Sequence, residues 1–337
     1  MTIEHGLRVP MVGKPQNAGA YAKEVEAAGF DFLWMPDTPL LAGLWRDVYM
    51  HLTCAALETE HIRLGPGVTN PITRLPVTVG SAIVTLNEVS GGRAELPYGT
   101  GYSSAYITGR KAATLKMMRE ATELWHSIFS GARTELGGLE IEIDPPHPDI
   151  PIIMAASGPR ALQLAGEIAD GVLIMVGAHP ACIRWALEHV ETGMARAGRD
   201  RSAVSRTLVI TACVDDDRQR AIDLMRPCVG NLCRHRFVNE LFDRVGMAVP
   251  EMPENIRQPY PDLGHAVDWE EAKRVTAWIP DEVVAAMNAL GSGSEVAERV
   301  AALSECDIDA IWWRDHGTWE HPDALFHGLV DEVFPKL

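Results

Sequence analysis

The segment IRLGPGVTNPITRLP, residues 62–76, contains the unit that repeats along the chain. It opens with a short apolar run, Ile62–Val68, passes through a loop rich in glycine and proline, and enters a helical pattern at Leu75. Apart from Arg63 the run has no charged residue and does not alternate between apolar and polar residues, which is typical of a parallel strand buried on both faces. The segment therefore predicts a strand, a turn and a helix in that order.

The same unit recurs from one end of the chain to the other, and helical patterns such as Thr114–Phe129 separate the apolar runs. Eight alternating units predict an α/β fold, a (β/α)8 TIM barrel. No Gly-x-Gly-x-x-Gly follows the first run, which disfavours a doubly wound dinucleotide-binding sheet. The predicted strands are Leu7–Val12, Asp31–Met35, Ile62–Val68, Ala94–Tyr98, Ile150–Ala155, Gly171–Val176, Leu208–Val214 and Ala310–Trp313.

We expect a single barrel domain over residues 1–337, with two stretches that depart from the repeat. Residues 133–148 predict a short hairpin or loop. Residues 228–280, rich in proline and arginine and with two histidines, predict a partly helical insertion. Two interpretations of this insertion stay open, a cover over the barrel mouth and a peripheral element that contacts another subunit.

Composition excludes several functional classes. The net charge of -16 disfavours binding to nucleic acid or to an anionic membrane surface. The first twelve residues contain no long apolar run, so we expect a cytoplasmic protein without a membrane segment. The six cysteines are scattered without a Cys-x-x-Cys pair, which predicts reduced thiols and no metal site.

In a barrel of this kind the ligand lies beyond the carboxyl ends of the strands. Glycines and small residues follow the third to sixth predicted strands, where they would let backbone approach a flat, bulky ligand or would simply make tight turns. Ser157-Gly158-Pro159 opens a helix, so free N–H groups and the nearby Arg160 would suit a phosphate. Asp37, after a very apolar run, is a buried acid, an acceptor for a ligand N–H, or a helix cap. Glu95, inside a predicted strand, needs a partner or a proton.

The run Leu64–Pro76 resembles the third-strand motif of the luciferase-like superfamily, most closely that of methylenetetrahydromethanopterin reductases that use coenzyme F420. The resemblance extends over most of the chain outside residues 228–280. Further matching segments are TLNEVSGGRAELPYGTG (85–101), GRKAATLKMMREATELW (109–125), IPIIMAASGPRALQLAGEIADGVLI (150–174) and GSGSEVAERVAALSECDIDAIWW (291–313).

The resemblance implies a barrel that holds the ring of coenzyme F420, or alternatively of FMN, at its mouth. It implies a cis peptide at Gly67-Val68 supporting one ring face, ring-edge contacts at Asp37 and Asn70, and phosphate contacts near Ser157-Gly158. Combined with the strand ends, it predicts this cofactor-binding set: Asp37, Gly67, Val68, Asn70, Gly99, Gly101, Ser103, Ala156, Ser157, Gly158, Pro159, Arg160, Val176 and Gly177.

The candidates for acid–base and substrate-contacting roles depart from the family pattern. Many F420-dependent relatives have Asp-His after the second strand, whereas this chain has Asp37-Thr38. Sugar-phosphate-oxidising relatives have Glu after the fourth-strand Gly-x-Gly, whereas this chain has Tyr102. The candidates are Asp37, Thr38, Arg46 and Tyr102, together with Trp45 beside Arg46.

Three functions stay open at this point. The first is hydride transfer between reduced F420 and a small organic substrate. The second is an FMN-dependent monooxygenase that uses oxygen and is supplied with reduced flavin by a separate reductase. The expected protein partner is accordingly a separate flavin reductase, or an F420 reductase if the cofactor is F420. The third is a flavin-binding barrel without catalysis. By analogy with the superfamily we expect a homodimer, packed through the apolar helices after the second and third strands.

Overall fold

The computed structural model describes residues 3–41, 46–142, 147, 149–256, 259–317 and 319–337. Strands and helices alternate through most of this part. The strands are β1 (Glu4–Arg8), β2 (Phe32–Met35), β3 (Arg63–Pro66), β4 (Leu96–Tyr98), β5 (Thr134–Leu136), β6 (Leu139–Ile141), β7 (Ile152–Ala156), β8 (Gly171–Ile174), β9 (Ser205–Val214), β10 (Ala289–Gly291) and β11 (Ala310–Arg314).

The α-helices lie mainly between consecutive barrel strands. They are α1 (Pro15–Ala27), α2 (Val48–Glu58), α3 (Pro76–Ser90), α4 (Tyr102–Ile107), α5 (Leu115–Phe129), α6 (Pro159–Ile168), α7 (Pro180–Ala197), α8 (Arg218–Leu232), α9 (Val238–Val245), α10 (Trp269–Val275), α11 (Asp281–Met287), α12 (Gly293–Ser304) and α13 (Asp323–His327). A π-helical turn and a short 3-10 turn end the chain at Gly328–Val333 and Phe334–Lys336.

Eight parallel strands form a nearly closed barrel in the order β3, β2, β1, β11, β9, β8, β7 and β4. Single bridges between Leu64 and Ala94 and between Thr69 and Tyr98 join β3 to β4, so the ring closes. Every registered pair in the barrel is parallel, as a (β/α)8 barrel requires. The predicted barrel is therefore confirmed.

Local sequence signals account for the helix ends. Proline occupies the first position of α3, where a missing N–H costs nothing, and Gly91 ends that helix with a φ of 69°. The Thr114 hydroxyl accepts a hydrogen bond from the Met117 N–H at the start of α5. Ser292 and Glu295 form a capping box at the start of α12. These residues fix where each helix begins or ends as the chain passes between helix and barrel strand.

Several predicted boundaries differ from the structure. The first strand is Glu4–Arg8 rather than Leu7–Val12, because the chain leaves the sheet after Val9 and Pro10 has no N–H to donate. The hairpin in residues 133–148 is present as β5 and β6. The short elements α4 and β10 were not predicted, because three to six residues carry too little periodicity.

The barrel interior and its outer shell form two separate apolar clusters. Inside the barrel, inward side chains of alternate strand residues pack together: Phe32, Trp34, Ile153, Leu173, Val209, Ala310 and Trp312. The outward residues of the same strands, such as Leu33 and Trp313, pack instead against the helices. This alternation decides which residues near the strand ends face the mouth.

Glu95 is buried at the start of β4 and has two polar partners. Its carboxylate accepts a hydrogen bond from Trp34 Nε1 at 2.8 Å and forms an ion pair with Arg63, whose Nε lies 2.8 Å from the other carboxylate oxygen. Arg63 also binds both carboxylate oxygens of Glu4, at 3.0 and 2.6 Å. Burial raises the pKa of Glu95, although the positive charge of Arg63 opposes that rise. Glu95 is thus a structural carboxylate that depends on Arg63.

Replacing Arg63 with glutamine tests this dependence. R63Q leaves the Glu95 carboxylate buried without its cation, so we expect a loss of about 3 kcal/mol in the free energy of unfolding at pH 7. When folding raises the pKa of a carboxyl group, the folded protein loses stability as the pH rises through that pKa. The destabilisation caused by R63Q should therefore shrink as the pH falls toward 4.5, where Glu95 takes up a proton. Urea denaturation at both pH values measures it.

A matched control is R133Q, which breaks the exposed ion pair between Arg133 and Glu142. This variant should change the free energy of unfolding by no more than about 0.5 kcal/mol at either pH. Equal losses for R63Q and R133Q at pH 7 would show that Glu95 does not need its cation.

Candidate functional site at the barrel mouth

Two indole rings form the floor of the mouth at the carboxyl ends of the strands. The ring centroids of Trp34 and Trp312 lie 5.4 Å apart inside the barrel. A Cβ atom on Gly67 would lie 2.6 Å from Trp312 and 2.8 Å from Trp34, so only glycine fits above them. The Gly67-Val68 peptide is cis, as the resemblance implied. Val68 packs against the interior cluster.

Asp37 lies beyond β2, fully buried, in a network of polar contacts. Arg74 donates from Nε to Asp37 Oδ2 at 2.8 Å and from Nη2 to Oδ1 at 3.1 Å. Thr69 Oγ1 donates to the same Oδ2 at 2.7 Å, and Arg74 also reaches Asp47 at 2.7 Å. Among the described helices Asp37 is an N-cap of none, whereas Asp47 caps α2. The Asp37 carboxylate holds β2 and the chain after β3 together.

Asn70 is also buried and organises the turn that follows Thr69. Its Oδ1 accepts hydrogen bonds from the N–H groups of Ile72 and Thr73, at 3.0 and 2.9 Å. Its Nδ2 donates to Ser104 Oγ at 3.0 Å, which joins this turn to α4. Gly101 has a φ of 70°, and a Cβ there would lie 2.5 Å from the Asn70 side chain. Both residues position the loop at the end of β4, beside the buried Gly99.

The remaining acid–base candidates lie apart from one another. Thr38 is half-buried, and its carbonyl accepts the Leu41 N–H at 3.4 Å. The Arg46 guanidinium donates to the Met11 carbonyl at 2.8 Å. The Tyr102 side chain is 66% exposed at the start of α4. Trp45 lies outside the described residues.

The predicted phosphate-binding turn lies where β7 meets α6. Gly158, rather than Ser157, is the N-cap of α6, and it has no side-chain cap hydrogen bond. Ser157 is half-buried and lines a cavity, whereas Arg160 is exposed. Ala156 ends β7, Pro159 opens α6, and beyond β8 Val176 is buried while Gly177 lines the same cavity.

This cavity has a volume of about 90 Å³ and lies under the predicted insertion. Barrel residues on one side include Ser157, Gly177, Thr211 and Arg314. On the other side, residues of the segment 228–280 contribute Cys228, Val229, Asn231, Leu232, His235 and Gly264. Polar donors are therefore gathered beside the free end of α6, which suits a phosphate or another anion. Within the described residues the segment thus covers part of the mouth.

A cluster that the sequence did not reveal joins this segment to the end of β4. Ser103 Oγ donates to Asp262 Oδ2 at 3.0 Å and lies 3.3 Å from His265 Nδ1. His265 Nδ1 lies 2.9 Å from Asp262 Oδ1. Burial alone would raise the pKa of Asp262, but hydrogen bonds from His265, Ser103 and the Gly264 N–H lower it to about 2. The imidazole is therefore oriented by an ionised carboxylate.

Arginine side chains form a second unpredicted cluster at the ends of β1 and β11. Arg8 is 5% exposed, and its Nη1 donates to the Gly317 carbonyl at 3.0 Å. Arg314 lines the mouth cavity, and its Nη2 lies 3.5 Å from the Gly264 carbonyl. The available signal in the sequence was an arginine in or next to each of two apolar runs. The inward direction of the Arg8 side chain follows only from the pairing register between β1 and β11.

Other kinds of site find no support in the described part of the chain. Within the described ranges, no three or more His, Cys, Asp or Glu side chains are grouped so as to hold a metal ion. No helix in those ranges combines the length and the apolar character needed to cross a membrane. All six cysteines are free thiols.

Comparisons with known proteins agree with this geometry. The chain is 34% identical over 331 residues to a 5,10-methylenetetrahydromethanopterin reductase of Archaeoglobus fulgidus, with 94% of each chain covered. It is 28% identical over 345 residues to an F420-dependent glucose-6-phosphate dehydrogenase of Beutenbergia cavernae, with 96% of this chain and 94% of the relative covered.

The solved F420-dependent tetrahydromethanopterin reductase of Methanopyrus kandleri superposes with a TM-score of 0.79 at 24% identity, with 99% of each chain covered. That similarity shows the shared barrel. Residues 3–310 match the model of a single family, the luciferase-like monooxygenases. The chain therefore belongs to the luciferase-like monooxygenase family.

Proposed function

We propose that this protein is an F420-dependent oxidoreductase that transfers hydride between the cofactor and a small organic substrate. The observation that carries the proposal is the similarity over most of the chain to a 5,10-methylenetetrahydromethanopterin reductase, at 34% identity, and to an F420-dependent glucose-6-phosphate dehydrogenase, at 28% identity. When bound, the deazaflavin supplies hydride chemistry. The protein supplies the position and the electrostatics of the site.

The residues of the mouth fit a flat ring with an anionic tail. The cis peptide at Gly67-Val68 lies directly above the two indole rings, so the backbone there offers a firm support for one ring face. The N–H groups at the start of α6, beside Ser157, would take the phosphate of the side chain. Asp37 and Asn70 would act mainly by holding the loops around the ring, because their polar atoms already bind neighbouring residues.

We assign the proton-handling role to His265. Its Nδ1 is held by Asp262 and Ser103, and within the described residues its Nε2 has no hydrogen-bonding partner. Gly264, its neighbour, lines the mouth cavity. An imidazole with one nitrogen fixed by a carboxylate and the other free can donate or accept a proton. It would take the role that the family's histidine after β2 has and that Thr38 cannot perform.

A paired fluorescence titration with F420 and FMN tests the cofactor. We expect micromolar or tighter binding of F420 and binding of FMN at least about tenfold weaker, a difference of about 1.4 kcal/mol. Reduced F420 should then be oxidised anaerobically in the presence of a reducible substrate.

The other results separate the remaining functions. Preference for FMN, with substrate-dependent oxygen consumption, would contradict the proposal and favour a two-component monooxygenase. Cofactor binding with no reaction toward any tested acceptor would favour a non-catalytic barrel.

Substitution of His265 tests the acid–base assignment. H265A should lower kcat by about a hundredfold or more, since positioned acid–base groups contribute on that scale. The dissociation constant for F420 should stay within threefold of the wild-type value. Added imidazole should restore part of kcat in H265A, which a purely structural loss would not allow.

The matched control is H327A, which alters an exposed histidine that precedes the C-terminal π-helical turn and does not line the mouth cavity. This variant should keep the wild-type kcat and respond to imidazole no more than the wild type does. A wild-type kcat in H265A would remove His265 from the reaction.

We also propose a homodimer packed through α2 and α3. Several large apolar side chains on or beside these helices are exposed, namely Met50, Leu57, Leu75, Val77 and Val89. Such a patch is typical of an interface between subunits. Light scattering after size exclusion should give the mass of two chains, and L57E should shift it toward one. A wild-type monomer at micromolar concentration would contradict the dimer.

The cytoplasmic location and a separate reductase partner stay predictions.

A further inference from the structure

Three polar side chains lie side by side at the carboxyl ends of β1, β11 and β9. Leu7 pairs with Trp313, so Arg8 lies one step further along, beside Arg314, which pairs with Thr211. Trp312 and Val209 face the barrel interior, and alternation along the strands places Arg314 and Thr211 on that inward side too. Leu7 faces outward, so Arg8 also faces the mouth.

The positive charge of this cluster is only partly compensated. Within the described residues no carboxylate oxygen lies within ion-pair distance of either guanidinium, whose hydrogen bonds go to the carbonyls of Gly317 and Gly264. Arg314 Nε is buried without a partner, and so is Asp315 Oδ1 nearby. Buried cations are normally paired, so two arginines against the single carboxyl group of Asp315 leave a place for an anion.

The electrostatic environment agrees with the geometry. Burial, with a smaller contribution from the charge of Arg314, lowers the pKa of Arg8 to about 10, and Asp315 offsets only part of this lowering. Burial raises the pKa of Asp315, so its negative charge is itself disfavoured there. His316 does not add a cation at neutral pH, because burial lowers its pKa.

The position of Arg8 separates it from the predicted phosphate turn of the cofactor. In the ring of eight strands, β1 and β7 are four places apart, so Arg8 and Ser157 lie on opposite sides of the mouth. Arg314 and Thr211 line the same cavity as Ser157, from strands β11 and β9. A cofactor phosphate at the start of α6 therefore leaves Arg8 and the Arg314 side of that cavity for another molecule.

We propose that Arg8 and Arg314, with the Thr211 hydroxyl beside them, bind a carboxylate or phosphate group of the substrate, so that the substrate is an anionic small molecule. The inference rests on the proposed function, because it assumes that the cofactor lies on the Ser157 side. Two guanidiniums and a hydroxyl provide donors for the oxygens of such a group.

Thermal unfolding with inorganic phosphate as the probe tests the site, with sodium chloride at equal ionic strength as the reference. Phosphate should raise the Tm of the wild type by about 2 °C or more, with or without saturating F420. R8M and R314M should lose this shift, whereas R133M, altered at an exposed surface pair, should keep it. In phosphate-free buffer R8M should be at least as stable as the wild type, because it removes a poorly compensated buried charge.

Three results would overturn the inference. The first is no phosphate shift in the wild type. The second is an R8M protein that unfolds well below the wild type in phosphate-free buffer, which would make the Arg8 cation a structural element. The third is a phosphate shift that F420 abolishes, together with F420 binding weakened more than tenfold in R8M, which would assign the anion to the cofactor.

A substrate comparison completes the test. For a carboxylate substrate, R8M should lower kcat/KM about tenfold or more, while the methyl ester of the same compound should react equally with R8M and wild type. Equal effects on acid and ester would overturn the inference. Failure of F420 to bind the wild type would contradict the proposed function alone, since the phosphate shift is measured without cofactor as well.

Discussion

The packing of Trp34 and Trp312 beneath the backbone of Gly67 is the constraint on which the mouth of the barrel depends. The two rings fill the interior so closely that a single Cβ on Gly67 would overlap both. Protein interiors pack at the density of organic crystals, so little free space is available to relieve such a contact. The path of the chain after β3 is therefore set, and with it the positions of Thr69 and Asn70, which hold Asp37 and α4 in place.

The charges around the mouth fall into two groups with different consequences. On the β2–β3 side the carboxylates of Asp37 and Asp47 share Arg74, so charge is balanced and the loops are held rigidly. On the β1–β11 side the hydrogen bonds that Arg8 and Arg314 make to described residues go to backbone carbonyls. One side is thus rigid, and the other has guanidinium donors without an anionic partner among the described residues. This arrangement is expected where a cofactor is held and a substrate is exchanged.

The sequence predicted the barrel well because consecutive apolar runs, glycine-rich strand ends and helix caps are local signals. The cis peptide at Gly67-Val68 came from the resemblance, since no local pattern indicates it. The role of Asp37 could not be read, because its partner Arg74 lies 37 residues further along the chain. His265 was missed for a similar reason, since Ser103 and His265 are separated by 162 residues and meet only when the insertion folds over the mouth. The inward direction of Arg8 depends on the register between β1 and β11.

The loop that contains Asp262 and Gly264 contacts chain segments from opposite sides of the barrel. Ser103 follows β4 and Arg314 ends β11, and these two strands are four places apart in the ring. The loop therefore spans the opening from one side of the barrel to the other. We expect a molecule bound beneath this loop to leave along the barrel axis only when these contacts separate. Its residence time would then depend on the rate at which one short loop opens as well as on the ligand's own contacts with the barrel.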